Sequence, residues 1–267
     1  MTEFTDQLGT IVAVPAPPRR IISVVPSQTE LLYDLGLEHE VVGITKFCVH
    51  PKKWFREKLR VGGTKNLHLD AIRGLKPDLI IANKEENEKG QLHELMREFP
   101  VWVSDIGDLT DAMDMIRSIG QLTGKNKQAG DLNGEIKRRF QALHSSPLTS
   151  IRKPQTAYFI WRDPWMVAAG DTFIDDMMEH CGLRNCFGHL SRYPVIDLKD
   201  LREEKCELVL LSSEPFPFRE KHAAEIRELF PEMKILLVDG EMFSWYGSRL
   251  LKAPAYFGEV MVKVGMK

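Results

Sequence analysis

Across 267 residues no apolar run approaches the ~20 residues that cross a membrane as a helix. Charge of one sign is not in excess either. Thirty-six Lys and Arg stand against 38 Asp and Glu, a net charge of −2, which removes the basic surface that nucleic-acid binding requires. No zinc-finger or RNA-binding signature is present. The four cysteines, Cys48, Cys181, Cys186 and Cys206, show no CxxC pairing and no zinc-ligand spacing. Cys181 and Cys206 sit in apolar-periodic surroundings and read as buried small residues, in keeping with a reduced compartment. Catalytic signatures are missing as well: there is no G-x-S-x-G elbow, HExxH, Walker motif or GxGxxG, so the chain does not read as an enzyme. The opening MTEFTDQLGT has neither the basic start nor the apolar core of a signal peptide. That fits a cytoplasmic protein, or a periplasmic or otherwise extracytoplasmic one trimmed and restarted at Met1.

What is present is the composition of a globular protein, 43% apolar and 28% charged, with length enough for two domains. The stretch Lys125–His144 carries apolar residues at Ala129, Leu132, Ile136, Phe140 and Leu143, the stripe of an amphipathic helix. Gly124 can cap the helix before it, and Ser145-Ser146-Pro147 can end this one. Gly130 and Gly134 each cost roughly 1 kcal/mol relative to Ala, so packing must hold the helix. On its two sides one plan is written twice. Leu69–Asn83 matches Leu198–Ser212 without a gap, at a constant offset of 129 residues: a short helix, a Lys-containing turn, then an apolar strand. Strand Ile21–Val25 leading to helix Ser27–Leu35 and Gly36 has its counterpart in Ala157–Trp161, helix Asp171–Cys181 and Gly182. So long a period indicates duplicated domains and not a solenoid. The expectation is an α/β fold of two similar lobes with mainly parallel sheets, joined by a single long backbone helix. Residues 1–124 form the N-terminal lobe, 125–146 the linking helix and 147–267 the C-terminal lobe. A helix of ~20 residues spans about 30 Å, so the lobes should move little on binding.

In parallel sheets ligands sit beyond the carboxyl ends of the strands. Before the first core strand, Thr10–Val14 and a run of prolines read as an edge hairpin arm. After strand Ile21–Val25, Ser27 and Glu30 read either as a capping box or as part of a polar-ligand site at a helix N-terminus. After Val41–Ile44 come Cys48 and His50, open to three readings: metal ligands, lining of a ligand cleft, or a nucleophile and its base. Trp54 extends the same wall. Val61–Asn66 lacks the spacing of a phosphate loop and reads as an exposed turn at the cleft rim, with Lys65 on it. Asn83 and Glu86 follow the next strand. In the second half Trp161, Arg162 and Trp165 share one loop, Arg192 and Tyr193 another, Glu214 and Phe216 (with Phe218) a third, and Trp245 and Tyr246 a fourth. Four of the five tryptophans fall in these loops and only Trp102 in a strand. An aromatic surface with a few polar groups is the usual character of a small-molecule site.

The segments Arg20–Leu32, Val41–Ile44 and Leu75–Ile80 resemble the substrate-binding proteins of metal-chelate ABC importers, which bind cobalamin, haem or ferric siderophores. Cys48–Pro51, Gly62–Asn66, Trp161–Trp165 and Ser244–Gly247 resemble the cobalamin-binding, helical-backbone metal receptor branch. The resemblance spans about Phe4 to Val264 and implies a class III periplasmic-binding-protein-like fold. It further implies non-catalytic binding of a metal chelate, a corrinoid first, between the lobes, with no intrinsic cofactor. Trp54, Trp161, Trp165 and Trp245 would enclose the macrocycle, His50 would approach only a metal carried by the ligand, and Arg162 and Arg192 would pair with its polar groups. A ferric-siderophore or haem binder of the same fold is the second reading, for which Arg162, Arg192, Arg249 and Lys65 are the available cations. A cytoplasmic sensor, storage protein or enzyme reusing the lobes is the third. Family members dock on an ABC permease through one exposed Glu per lobe. Glu86 or Glu88 serves on the first lobe, while the comparable position on the second falls near Ser244. The chain is expected to be a monomer without membrane insertion.

Overall fold

The chain opens on an antiparallel hairpin, β1 (Thr2–Thr5) and β2 (Ile11–Val14), in which Val12 and Val14 turn inward while Ile11 faces solvent. This is the edge arm that the prolines announce. The computed structural model describes residues 1–146 and 153–265. It divides into two compact units. The first comprises Met1–Ile106, Thr110–Glu135 and Tyr246–Arg249, and the second Gly107–Leu109, Ile136–Trp245 and Leu250–Lys267.

In the first unit β3 (Ile21–Ser23), β4 (Val41–Ile44), β5 (Leu59–Arg60), β6 (Leu79–Asn83) and β7 (Val101–Ser104) form a parallel sheet in the order β5-β4-β3-β6-β7. β3, β6 and β7 are buried along their whole length, as expected of strands covered on both faces. The connecting helices are α1 (Pro26–Asp34), α2 (Lys52–Glu57), α3 (Leu69–Leu75), α4 (Lys89–Leu95) and α5 (Leu109–Thr123). Next comes α6 (Asn126–His144), where Ala129, Ile136, Phe140 and Leu143 of the predicted stripe are buried and Leu132 is half-buried. A Cβ on Gly120 would lie 2.5 Å from that of Ala129, so α5 and α6 approach closely only because Gly120 has none. Pro147, and with it the expected lobe boundary at 147, lies outside the described residues.

The second unit has β8 (Gln155–Trp161), β9 (Met166–Ala168), β10 (Arg184–Asn185), β11 (Leu208–Ser212) and β12 (Lys234–Val238). Its parallel order is β10-β8-β11-β12, with β9 antiparallel to β8. Its helices are α7 (Phe173–His180), α8 (Asp200–Glu203), α9 (Glu220–Leu229), α10 (Glu241–Ser244) and α11 (Ala253–Val264), with a 3-10 turn at Ser248–Leu251. The 129-residue offset carries β6 onto β11 end for end. It also carries Lys76 onto Lys205, and both take left-handed backbone, φ 46° and 53°. Gly36 and Gly182 close α1 and α7 with φ 76° and 72°. The two units are therefore similar α/β domains with mainly parallel sheets.

Two helix starts differ from expectation. α1 begins at Pro26 with Val25 as its N-cap and no side-chain cap, so Ser27 and Glu30 do not form a capping box. A proline at the first helical position needs no cap for its missing N–H. α7 is capped by Thr172, whose hydroxyl accepts from the Asp175 N–H, and not by Asp171, which is turned to φ 55°.

Candidate functional site

In the first unit the strand ends are tied together by buried polar side chains. Thr29 donates to Ser23 Oγ (2.7 Å) or the Val25 carbonyl (2.8 Å), and its hydroxyl lies 3.1 Å from Cys48 Sγ, with Thr45 Oγ1 at 3.2 Å on the other side. Cys48 is fully buried, and desolvation pushes its thiol up. A neutral thiol held by two hydroxyls is neither nucleophile nor metal ligand, which removes two of the three readings of Cys48. It also does not line a surface. His50, two residues on, is half-buried.

Trp54 is corrected too. It lies in α2, not in a loop, and is fully buried, edge-on to Tyr33 at 5.3 Å, with Lys58 Nζ 5.1 Å from its ring centre. No face of it is open to a ligand. Asn83, only 2% exposed, accepts from the Glu85 and Glu86 N–H groups (2.8 and 3.0 Å) and donates to Ser104. Its role is to shape the loop on which half-buried Glu86 stands. Asn87, which the sequence did not single out, braces the same loop by donating to the carbonyls of Val24 and Thr64 (3.1 Å each) and accepting from Asn83 N–H. Lys65 reaches across to the Glu85 carbonyl. The turn before it is not the exposed rim expected. Gly62, Gly63 and Thr64 are buried, because Gly62 (φ 102°) folds the chain back so tightly that a Cβ would lie 2.5 Å from the Asn66 carbonyl.

Ser27 is 5% exposed, and its carbonyl lies 3.2 Å from where a Cβ on Gly247 would stand. Tyr246–Arg249 belongs to this unit although the chain around it belongs to the other. Arg249 donates two hydrogen bonds to Glu30, Nε to Oε2 at 2.8 Å and Nη2 to Oε1 at 2.9 Å, with the side chains 7% and 10% exposed. This bidentate buried pair explains Glu30, and no local pattern could have revealed it: the partner is 219 residues away.

The second unit collects aromatics. Trp161, 40% exposed at the end of β8, stands edge-on to Phe216 at 5.7 Å. Trp165 stacks on Phe218 (6.1 Å, 8° between planes) and meets Phe159 edge-on. Phe216 and Phe218 touch each other at 4.8 Å, and His222 of α9 fills the corner between them. The His222 imidazole accepts from the Arg219 N–H at 3.0 Å, and burial lowers its pKa. Arg162 lies 5.3 Å over the Trp165 ring while donating twice to Glu225 (3.0 Å each) and once to Asp163 (2.7 Å). His222 and Glu225 went unnoticed in the sequence. Both face this cluster from one side of α9, three residues apart, the spacing that sets neighbours on a helix.

Glu214 completes the strand ends. Its Oε1 accepts from Ser244 Oγ (2.6 Å) and Trp245 Nε1 (2.8 Å), and burial holds its pKa above the usual carboxylate range against those two bonds. Trp245 and Tyr246 are each 6% exposed. Arg192, at φ 63°, lies 5.7 Å over Tyr193 and donates to the Asp171 carbonyl at 3.0 Å. Among the described residues no group of three or more His, Cys, Asp or Glu side chains is placed to hold a metal ion. No described helix is long and apolar enough to cross a membrane.

Residues 21–228 match the sequence pattern of the periplasmic binding protein family. The chain belongs to that family. Among relatives it is 26% identical over 187 residues to an uncharacterized ABC transporter substrate-binding lipoprotein, YvrC, of Bacillus subtilis. That match covers 67% of this chain but only 59% of the lipoprotein's length. It is 25% identical over 199 residues to a vitamin B12-binding protein of Vibrio parahaemolyticus, covering 73% of this chain and 71% of the relative. In structure it is similar to the periplasmic vitamin B12 binding protein BtuF of Vibrio cholerae, with a TM-score of 0.80 at 21% identity, covering 94% of this chain and 99% of that one. The architecture is thus that of periplasmic binding proteins, two α/β units with parallel sheets.

Proposed function

We propose that this chain is a non-catalytic binding protein for a metal chelate, a corrinoid in preference, acting outside the cytoplasm as the substrate-binding component of an ABC importer. The observation that carries the corrinoid reading is the state of the cations. Arg249 is bound to Glu30, Arg162 to Glu225 and Asp163, Lys65 to the Glu85 carbonyl, and Arg192 to the Asp171 carbonyl. A polyanionic siderophore needs converging positive charge, and here each cation offered for it already has a partner within the protein. A macrocycle edged with neutral amides needs instead a flat apolar platform with hydrogen-bonding groups beside it. Trp161, 40% exposed, supplies its open ring, with Phe216 edge-on beside it and Trp165 behind, covered by Phe218 and Arg162. Glu214, kept closer to its neutral form by burial, offers hydrogen bonds without demanding a counter-charge. The named relatives support the same direction, one of them being called a vitamin B12-binding protein. His50 stands as the group that approaches a metal carried by the ligand. On the permease side Glu88 is exposed and held by the Gly90 and Gln91 N–H groups at the start of α4. Ser244 is turned to Glu214.

The test is a titration with aquocobalamin that follows tryptophan fluorescence and the corrin absorption bands together. Wild type is expected to quench at micromolar ligand, with the quench lost in Trp161→Ala and Trp165→Ala. A band shift lost in His50→Ala assigns imidazole to the cobalt, and quenching without a shift removes that contact only. No response to aquocobalamin at tens of micromolar, with saturable binding of haemin or a ferric catecholate, overturns the corrinoid assignment.

A further inference from the structure

The C-terminal ends of α6 and α7 meet in the second unit through two histidines that have no part in the aromatic cluster. His144 is the last residue of α6 and His180 the last of α7. His144 Nε2 and His180 Nδ1 lie 2.8 Å apart, and the two ring planes differ by only 14°. Phe140, one turn before His144, stands edge-on to both rings, at 6.4 and 5.1 Å, and fixes their orientation. On the far side of the His180 ring, Asp176 Oδ2 lies 3.5 Å from Nε2 and accepts from the Leu109 N–H at 2.9 Å. A carboxylate there favours the proton on Nε2, which leaves the bare nitrogen, Nδ1, facing His144. Desolvation first, then His180 and Lys153, lower the His144 pKa, so this ring too is a neutral imidazole near neutral pH. Lys153 is itself paired with Glu179 at 2.5 Å.

We propose that this pair binds a divalent transition-metal ion, with His144 Nε2 and His180 Nδ1 as its two protein ligands and water in the remaining positions. Bonds of about 2.0–2.1 Å meeting at a right angle set two imidazole nitrogens about 2.9 Å apart. The pair stands at 2.8 Å, so a small opening admits the ion. The proton that joins the two rings leaves His144 Nε2 as the ion binds and passes through water to Nδ1 of the same ring. Asp176 then stands behind His180 as the carboxylate of a carboxylate–histidine–metal triad. Positive charge is favoured here on two further counts. Both helices end at the site, and helix C-termini carry partial negative charge. The charge of Lys153 is met by Glu179, so that of Asp176 remains for the ion. Among the described residues no third His, Cys, Asp or Glu completes the set, which makes this a two-nitrogen site. The general order of affinities puts copper(II) above nickel(II) and zinc(II). The ion clips the end of α6 to the end of α7, whatever chelate the aromatic surface takes.

The experiment uses the full chain, stripped with EDTA and dialysed, then titrated with copper(II), nickel(II) and zinc(II) salts. Copper(II) should bind the most tightly, one ion per chain, with a Kd of about 10 micromolar or below. Its frozen-solution electron paramagnetic resonance spectrum should show coupling to two imidazole nitrogens. The melting temperature should rise by roughly 3 °C or more at a hundredfold excess over Kd and return on adding EDTA. His144→Ala and His180→Ala should each weaken binding at least tenfold and remove the two-nitrogen coupling, while His93→Ala leaves both unchanged. Asp176→Asn should weaken binding about tenfold with the coupling retained. No binding at tens of micromolar copper(II), binding that survives His144→Ala or His180→Ala, or coupling to a single nitrogen each overturns the proposal. The wild-type spectrum decides it even where a variant fails to fold, since a lone histidine gives coupling to one nitrogen only.

Discussion

Arg249→Met should be among the most damaging single changes in the first unit. The pair it breaks is bidentate, at 2.8 and 2.9 Å, and its side chains are 7% and 10% exposed, so water cannot take over the charge left on Glu30. Removing one member of a buried pair costs about 3–5 kcal/mol, most of it from the stranded partner. The converse change separates that penalty from the pair's net worth. Glu30→Leu with Arg249→Met removes both charges and should lie within about 1 kcal/mol of wild type, since apolar replacements of buried pairs are often neutral or better. The assay is urea unfolding followed by tryptophan fluorescence. Trp54 and Trp102 report on this unit, and both are fully buried in it. Single variants should shift the midpoint down strongly and the double variant should restore most of it: singles at about 3–5 kcal/mol each against a double within about 1 make a coupling of at least about 5 kcal/mol. If Arg249→Met costs under about 1 kcal/mol, or if the double variant is as unstable as the two singles added, the pair is not the buried contact described here.

Trp54→Phe should cost only about 1 kcal/mol, against 3–5 for Trp54→Ala, because the indole N–H it removes has no hydrogen-bond partner among the described residues. It should leave aquocobalamin affinity within about twofold, whereas a large loss would return Trp54 to the ligand surface. Gly130→Ala and Gly134→Ala place a methyl where nothing lies within 4 Å on the exposed face of α6, so each should raise stability by about 0.5–1 kcal/mol in thermal or urea unfolding. Glu214 carries a raised pKa in the folded chain, so its ionisation opposes folding. Stability should be fully retained below the ordinary carboxylate range and decline as pH rises from there through the folded value. Glu214→Gln keeps the acceptor for Ser244 and Trp245 and should flatten that decline, while an unchanged pH profile would show that Glu214 is not the group responsible.

The sequence revealed what repeats over short distances. Apolar runs located β3, β6, β8 and β11 to within two residues, because strands buried on both faces leave no polar alternation to confuse them. The α6 stripe gave its helix to within one residue at its start. Three-residue patterns misled where a distant partner was decisive. Ser27 and Glu30 have capping-box spacing, yet the carboxylate is taken by Arg249. Trp54 was counted with the loop tryptophans because its helix, α2, is only six residues long and shows no full period.

The most informative comparison lies inside the chain, at the 129-residue offset. Asn83 and Asn87 fall opposite Ser212 and Phe216. In the first unit the two amides close the loop after β6 by bonding its N–H groups and the carbonyls of Val24 and Thr64, and both are buried. In the second unit the counterpart of Asn87 is an aromatic ring, half-buried and in contact with exposed Trp161. The strands before the two loops have the same bounds at this offset, and the preceding lysines share left-handed backbone, so the chain enters both loops in the same way. An amide satisfies the local backbone. A phenylalanine cannot, and Ser212 takes over part of that work by bonding within its own loop to the Glu214 carbonyl at 2.5 Å. Where two copies of one plan agree on the strand that leads into a loop and differ in the loop, that strand does not dictate the difference. Phe216 is therefore the residue whose replacement by Asn should be tolerated by the second unit and felt by the ligand. Phe216→Asn is expected to keep the melting temperature within a few degrees and to weaken aquocobalamin binding at least tenfold, about 1.4 kcal/mol. A protein that unfolds but would have bound normally puts Phe216 in the core, and the binding platform must then be sought elsewhere.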